Sequence, residues 1–307
     1  MLSGEKILIT GASGATTTVP AALSLAADNE VWGVARFTDP EARERLEAGG
    51  VTTRCVDLAK PDLRELPEDF SYVLHFAHAR MGAGEFVPAI QVNAIGAGHV
   101  LKHCRNAKAA LVASSAALYS AREDDPFHAF AEGDDVGRSF TPWAPASPAS
   151  KVSLEAVARF CAEAFDLPVT IARISCVYGP EGGLPILHMD AVARGEGVVT
   201  TALPYPHVPL HTEDFCEQIE ALLAAAAAPA TLVNWGGDEV VTVEEWCAEA
   251  ARLSGQKVEF QLQPVPGSQC GAVLDTRRRR SITGPCRKEF RREFEALFRQ
   301  RHGSTGG

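Results

Sequence analysis

The 307-residue sequence is short of positive charge, of aromatic side chains and of long apolar runs. Lys and Arg number 29 against 39 Asp and Glu, a formal net charge of −10. That balance excludes a general nucleic-acid binder and a surface built to sit on anionic lipid. No apolar stretch approaches the ~18 residues of a membrane span, and the alanine run at 224–228 reads as helix. The eight cysteines contain no C-x-x-C pair and no zinc-ribbon spacing, and residues 1–6 enter a strand-like run without an apolar export segment. Reduced thiols in the cytoplasm are therefore the expectation. Aromatic residues make up 7% of the chain, and only four of them are tyrosines. One segment breaks the acidic trend. Residues 277–302 hold ten Arg and Lys against three Glu, a net of +7, while the remainder carries −17. This leaves open an anionic phosphate or acidic substrate near that segment.

The length and the 46% hydrophobic content suffice for a sizeable core. Short β-branched runs at 6–10, 30–36, 51–57, 71–77, 109–115 and 169–174 alternate with helical stretches at about 15–27, 39–48, 85–106 and 150–165. Several strands are apolar on both faces, as in a parallel sheet covered on each side. The spacing predicts a Rossmann-like, doubly wound α/β fold with a small C-terminal substrate lobe. A cofactor domain is expected over 1–178, completed by about 207–236. The substrate lobe is expected over 179–206 and 237–302, with a disordered tail at 303–307. Residues 180–212 are proline-rich with little periodicity; a helix at 213–228, a strand at 231–235 and helices at 243–254 and 287–301 follow.

The turn between the first strand and first helix reads Thr10-Gly11-Ala12-Ser13-Gly14-Ala15-Thr16-Thr17. In this setting Gly11 permits the tight turn, and Gly14 lets the backbone, with Ser13 and Ala15, approach a pyrophosphate at the helix N-terminus. The third glycine of such loops is Thr17. At the end of the second strand, Ala35 stands where an acidic residue would accept from a ribose 2′-OH, and Arg36 follows. An Arg there suits a 2′-phosphate, so NADP is preferred over NAD. Asp57 and Leu58 are placed to meet the adenine, although Asp57 also suits a helix N-cap.

These stretches, with His75-Phe76-Ala77-His78, Val92-Asn93-Ala94, Ser114-Ser115-Ala116-Ala117-Leu118-Tyr119, Arg173-Ile174-Ser175-Cys176-Val177-Tyr178-Gly179-Pro180 and Asn234-Trp235-Gly236-Gly237, resemble the extended short-chain dehydrogenase/reductase superfamily. Within it, the NAD-dependent epimerase/dehydratase group is the nearer likeness, over about residues 5–300. The resemblance implies a cofactor wall of Ala77, His78, Asn93, Lys151 and Cys176. It also implies catalysis by a Ser/Thr, a Tyr acid/base and a Lys. Ser115 and Lys151 match the first and last, but the tyrosine position holds Ser147. A serine hydroxyl titrates far above a phenol at ~10 and reaches less far. Another group must supply the proton, the substrate must ionise easily, or the protein binds nucleotide without turnover. Tyr119, Tyr178, Tyr205, His78 and His207 are the candidate donors, with His78 and Tyr178 foremost because an imidazole titrates near neutrality.

On the substrate side, family members that bind nucleotide sugars present an Arg where His207 stands, and Arg194 is the sole basic residue between Pro180 and Pro206. A diphosphate needs charge-assisted donors, so a small carbonyl or hydroxyl substrate in a more apolar pocket is expected, contacted by Tyr119, Tyr205 and His207. His99 and His103 share a helix face but have no third metal ligand, so no metal is expected. Ala89, Val92, Val157, Phe160 and Phe165 lie on helices that pair in family dimers, which suggests a homodimer. The reading is an NAD(P)-dependent oxidoreductase or epimerase/dehydratase-like enzyme with an atypical acid/base; the alternative is a non-catalytic NADP-binding regulator.

Overall fold

The computed structural model describes residues 2–303, so residues 304–307 of the expected tail lie outside the described residues. The chain opens with β1 (Lys6–Thr10), α1 (Thr18–Ala26), β2 (Glu30–Ala35), α2 (Pro40–Ala48), β3 (Thr52–Cys55) and β4 (Tyr72–His75). A long helix follows in three parts: α3 (Phe86–Ile90), a π-helical turn (Gln91–Ile95) and α4 (Gly96–His103). Next come β5 (Ala109–Ser115), α5 (Ser147–Phe165), β6 (Val169–Ile174), β7 (Val177–Tyr178), α6 (Leu184–Ala193), β8 (Val198–Thr200), β9 (Pro206–His207) and β10 (Leu210–His211). The last elements are α7 (Thr212–Ala224), β11 (Thr231–Trp235), β12 (Val241–Thr242), α8 (Val243–Ser254), β13 (Phe260–Leu262), α9 (Arg277–Thr283) and α10 (Phe290–His302).

Seven strands form one parallel sheet in the order β11-β6-β5-β4-β1-β2-β3. The alternation along β1 assigns its two faces. Ile7 and Ile9 pack with Val19, Leu46 and Phe215 of α1, α2 and α7. Leu8 packs with Val100 and Leu154 of α4 and α5. Helices thus cover both faces, and each fully buried aliphatic side chain contributes roughly 1.5–3 kcal/mol of transfer free energy. The strand order reverses between β1 and β4, and the crevice outside their carboxyl ends is where such a sheet binds ligands.

A third apolar cluster joins Tyr178, Ile186, Met189, Trp246, Phe290 and Phe294 from α6, α8, α10 and β7. Helix α6 is absent from the sequence expectation. Its inner residues Ile186, Met189 and Val192 are buried while Leu187 on the other side is 62% exposed, so apolar residues on both sides erase the period. Pro185 sits in its first turn, where the missing N–H has no helical partner to lose. The same rule moves the start of α5. The helix begins at Ser147 rather than at 150, with Pro148 in its first turn. Ser147 and Lys151 therefore stand one turn apart on one face.

Candidate functional site

The loop after β1 is shaped by backbone. Gly11 has φ 71°, and a Cβ there would lie 2.6 Å from Ala77 Cα and 2.8 Å from Ala77 N. Only glycine meets both demands. The β4 end is fixed against it by the Thr10 hydroxyl, which accepts the Ala77 N–H (3.2 Å) and bonds His75 Nδ1 (3.0 Å). Gly14 N donates to Gly11 O at 3.0 Å, and α1 starts only at Thr18. Among the described residues the N–H groups of Ser13, Ala15 and Thr16 bond no backbone carbonyl, which leaves a nest of donors at a helix N-terminus. Arg36 is exposed at the end of β2 with no ion pair among the described residues. Asp57, also exposed, accepts the Ala59 N–H (2.9 Å) in a turn, and no helix starts there, which removes the N-cap alternative. Leu58 is buried against Gly96, where a Cβ would lie 2.6 Å from the Leu58 carbonyl oxygen. Asn93, in the π-helical turn, is buried and clamps Ala79: its Oδ1 accepts the Ala79 N–H (2.7 Å) and its Nδ2 donates to Ala79 O (3.0 Å). Donor nest, glycine cradle and exposed Arg36 together fit a dinucleotide phosphate.

A cleft of about 400 Å³ opens beside this loop, lined by Phe76, His78, Ser115, Ser147, Lys151 and Cys176 among others. Its central feature is a contact between His78 Nε2 and Ser147 Oγ at 3.0 Å. His78 Nδ1 is buried with no partner. Burial first, then the charges of Lys151 and Arg80, hold the His78 pKa well below the ordinary imidazole value, so the ring is neutral at pH 7. Lys151 is buried and donates to Ala113 O at 2.6 Å; desolvation pushes its amine down to about 8 against a smaller opposing pull from Glu155. Ser115 Oγ accepts the Ala117 N–H (3.1 Å), capping the turn after β5 and leaving its own proton for a ligand. Cys176 lines the cleft with its thiol pushed up to about 12 by burial.

The tyrosines divide differently from the sequence expectation. Tyr178 is buried between His211 and Phe290 in the third cluster and does not line the cleft, so it is not placed to give a proton there. Tyr119 is likewise outside: its hydroxyl donates to Asn234 Oδ1 (2.6 Å) and its ring stacks on Phe130. Tyr205 and His207 do line the cleft, with ring centres 4.5 Å apart. Burial pushes Tyr205 up to about 12 and His207 down to about 3.

Beneath Lys151 lies a network that the sequence reading missed. Arg173 of β6 donates twice to Glu155 (2.9 and 2.8 Å), and Ser114 donates to the same carboxylate (2.6 Å). Both charged side chains are almost fully buried. The available signal was Glu155 at i+4 from Lys151, with an Arg inside an otherwise apolar strand. The basic segment at 277–302 is also corrected. Arg279 is buried against Asp238, Arg301 bonds Asp190, Lys288 pairs with Glu213 and Arg287 with Glu217. Its charges hold the acidic parts of the chain and do not line the cleft. Of the expected dimer-face residues, Ala89 is buried in the chain's own core, Val92, Val157 and Phe165 pack against it, and Phe160 alone is largely exposed. His103 Nε2 bonds Pro67 O (2.9 Å), and among the described residues no group of three His, Cys, Asp or Glu is placed to hold a metal. No helix of the described residues is long and apolar enough to cross a membrane.

The fold and this site define an extended short-chain dehydrogenase/reductase. The family model of the NAD dependent epimerase/dehydratase family matches residues 7–197, and the chain belongs to that family. It is an enzyme of this nicotinamide-dependent type. A search of curated proteins finds no match. Among solved structures it is similar to a UDP-glucuronic acid 4-epimerase from Bacillus cereus in complex with UDP-glucuronic acid and NAD (TM-score 0.80, 19% identity, covering 95% of this chain and 98% of that one). It is also similar to a UDP-N-acetylglucosamine 4-epimerase from Methanobrevibacter ruminantium (TM-score 0.81, 18% identity, 97% and 98% covered). A third is a dTDP-glucose 4,6-dehydratase from Bacillus anthracis in complex with NAD (TM-score 0.78, 17% identity, 96% of each chain).

Proposed function

We propose that this protein moves hydride at a carbonyl or hydroxyl carbon of a small substrate, prefers NADP, and uses His78 with Ser147 as its acid/base. The observation that carries the reading is the 3.0 Å His78–Ser147 contact inside the cleft beside Lys151. When bound, the nicotinamide supplies a hydride acceptor or donor. Ser115 orients the substrate oxygen through its free proton. In the oxidising direction the substrate hydroxyl gives its proton to Ser147 Oγ as that hydroxyl passes its own to His78 Nε2. His78 accepts because burial keeps it neutral; in the reverse direction the buried imidazolium is a strong acid. Lys151 holds the ribose side and supplies charge, with Glu155 and Arg173 bracing the helix that carries it. Arg36, exposed after β2, supports the NADP preference because an arginine at that strand end suits a 2′-phosphate. Exposed Phe86, Val87 and Phe160 on α3 and α5 support a homodimer, which sedimentation velocity checks.

Titration with NADPH and NADH, followed by turnover on aldehydes and ketones, tests the reading. NADPH is expected to bind at least ten-fold more tightly, with turnover lost in Lys151→Ala. Tight cofactor binding with no turnover on any substrate would favour the regulator instead.

A further inference from the structure

The cleft does not end at the His78–Ser147 pair. It shares Arg80, Trp143, Leu184, Thr201 and Tyr205 with a second cavity of about 880 Å³ under α6. Leu184, Ile186, Leu187, Val199 and Val265 make much of its wall apolar; His188, Thr200 and Gln263 also line it, and its one carboxylate, Asp190, is held by Arg301 and His302. Trp143 is 64% exposed and Leu187 62%, so large apolar surface is left facing open space. Cations are scarce. Of the lining residues in both cavities only Arg80 and Lys151 carry a fixed positive charge, and Lys151 is bonded to Ala113 O. The nearby Arg301 is held by Asp190 and Pro180 O. A diphosphate, with two strongly hydrated charges, has too few charge-assisted donors here.

Polar groups are nonetheless present at the junction. His207 Nε2 is a buried side-chain atom with no hydrogen-bond partner in the cleft wall, while the hydroxyls of Thr201 and Ser175 stand beside Tyr205 and Cys176. His207 itself is 5% exposed. A buried polar atom left unpaired costs free energy, and one in a cavity wall points to a ligand that completes its bond. An apolar chamber joined to a few convergent neutral donors and acceptors matches an uncharged ring-bearing molecule with one polar substituent.

We infer that the substrate is an uncharged aromatic or alicyclic carbonyl or alcohol, with its ring in the chamber under α6 and a polar substituent held by His207 Nε2. This rests on the hydride-transfer reading of the same cleft but concerns what binds there. His207 determines specificity; Leu187, on the open side of α6, contributes wall.

The test is binding, so that it stands apart from turnover. 2′-Hydroxyacetophenone, 2-hydroxycinnamaldehyde and UDP-glucose are titrated into the protein saturated with NADPH, with ligand-observed NMR as readout. The aromatic carbonyls are expected to bind at least ten-fold more tightly than UDP-glucose. His207→Ala should weaken 2-hydroxycinnamaldehyde about ten-fold with NADPH affinity unchanged, and His207→Gln, which keeps a donor and an acceptor, should recover part of the loss. Leu187→Glu, at an exposed position that leaves folding intact, should also weaken the aromatic ligands about ten-fold. UDP-glucose binding as tightly as the aromatics, or full aromatic affinity in both His207→Ala and Leu187→Glu, overturns the inference. If the aromatics bind as expected but no hydride moves, the hydride-transfer reading fails and the ligand class stands.

Discussion

The glycine loop beside the cleft is built from main chain and the proposed proton site within the cleft from side chains, and the two differ in what fixes their geometry. On the cofactor side, Gly11, the free N–H groups after it and the Thr10 bond to Ala77 leave little room for exchange, because any Cβ at Gly11 meets backbone. At the proposed proton site, a hydroxyl at position 147 and an imidazole at position 78 meet at 3.0 Å, two short side chains brought together from different elements. Backbone geometry can be lost but hardly traded. Side-chain chemistry can be traded if the new pair fills the same space with groups that can pass a proton.

The largest expected effect breaks the buried ion pair on the helix that carries Ser147 and Lys151. Glu155→Ala leaves buried Arg173 without its carboxylate and should destabilise the fold by about 3–5 kcal/mol, as urea denaturation would measure. An unchanged midpoint would mean the pair carries no structural load. Next, His78→Ala should lower turnover by about 100-fold or more, within the range of lost acid/base catalysis, with NADPH affinity unchanged. Equal losses in affinity and rate would erase the contrast between the two sides. Gly11→Ala acts on the cofactor side. The strained φ alone costs about 1–2 kcal/mol, so NADPH affinity should drop by at least ten-fold in fluorescence titration. Arg36→Asp is a finer probe: NADPH should weaken about ten-fold while NADH does not, since one charge-assisted bond is worth about 1.5–3 kcal/mol.

The smallest effect is a pH dependence. The Lys151 amine titrates at about 8 in the fold, below its ordinary value of 10.5, because burial disfavours its charge. Cofactor affinity should therefore decline as pH rises through about 8. The unfolded chain holds that proton to higher pH, so the stability penalty of burying the charged amine is full below pH 8 and is relieved between about 8 and 10.5. Turnover should show no limb near the ordinary imidazole value, because His78 is neutral well below it.

Where one physical signal dominated, the sequence was readable. Strands β1, β5, β6 and β11 and helix α8 fall on their expected residues because both-faced apolar runs and the Thr242–Glu245 capping box leave no competing reading. The glycine loop was readable for the same reason. Helix α6 was not, since apolar residues on both of its sides hide its period. The start of α5 was misplaced because Pro148 was read as lying before the helix when it occupies the first turn. At the site, the absent tyrosine was plain in the sequence, but the meeting of His78 with Ser147 joins positions 69 residues apart, which no local pattern encodes. Tyr178 and Tyr119 were drawn towards the site by motif position, whereas their rings are held in buried aromatic clusters. The positive stretch at 277–302 looked available for an anion only while its acidic partners were unknown.

The proposed proton path runs through His78 and Ser147, which meet at 3.0 Å. The most direct measurement is the single-turnover rate of NADPH oxidation in His78→Ala, Ser147→Tyr and the double variant carrying both. A tyrosine added alone would run into the imidazole, so each single variant should be slow, and the double variant should recover at least ten-fold over His78→Ala. A His78→Ala protein that transfers hydride as fast as the unaltered one, or a double variant no faster than His78→Ala, would contradict the account.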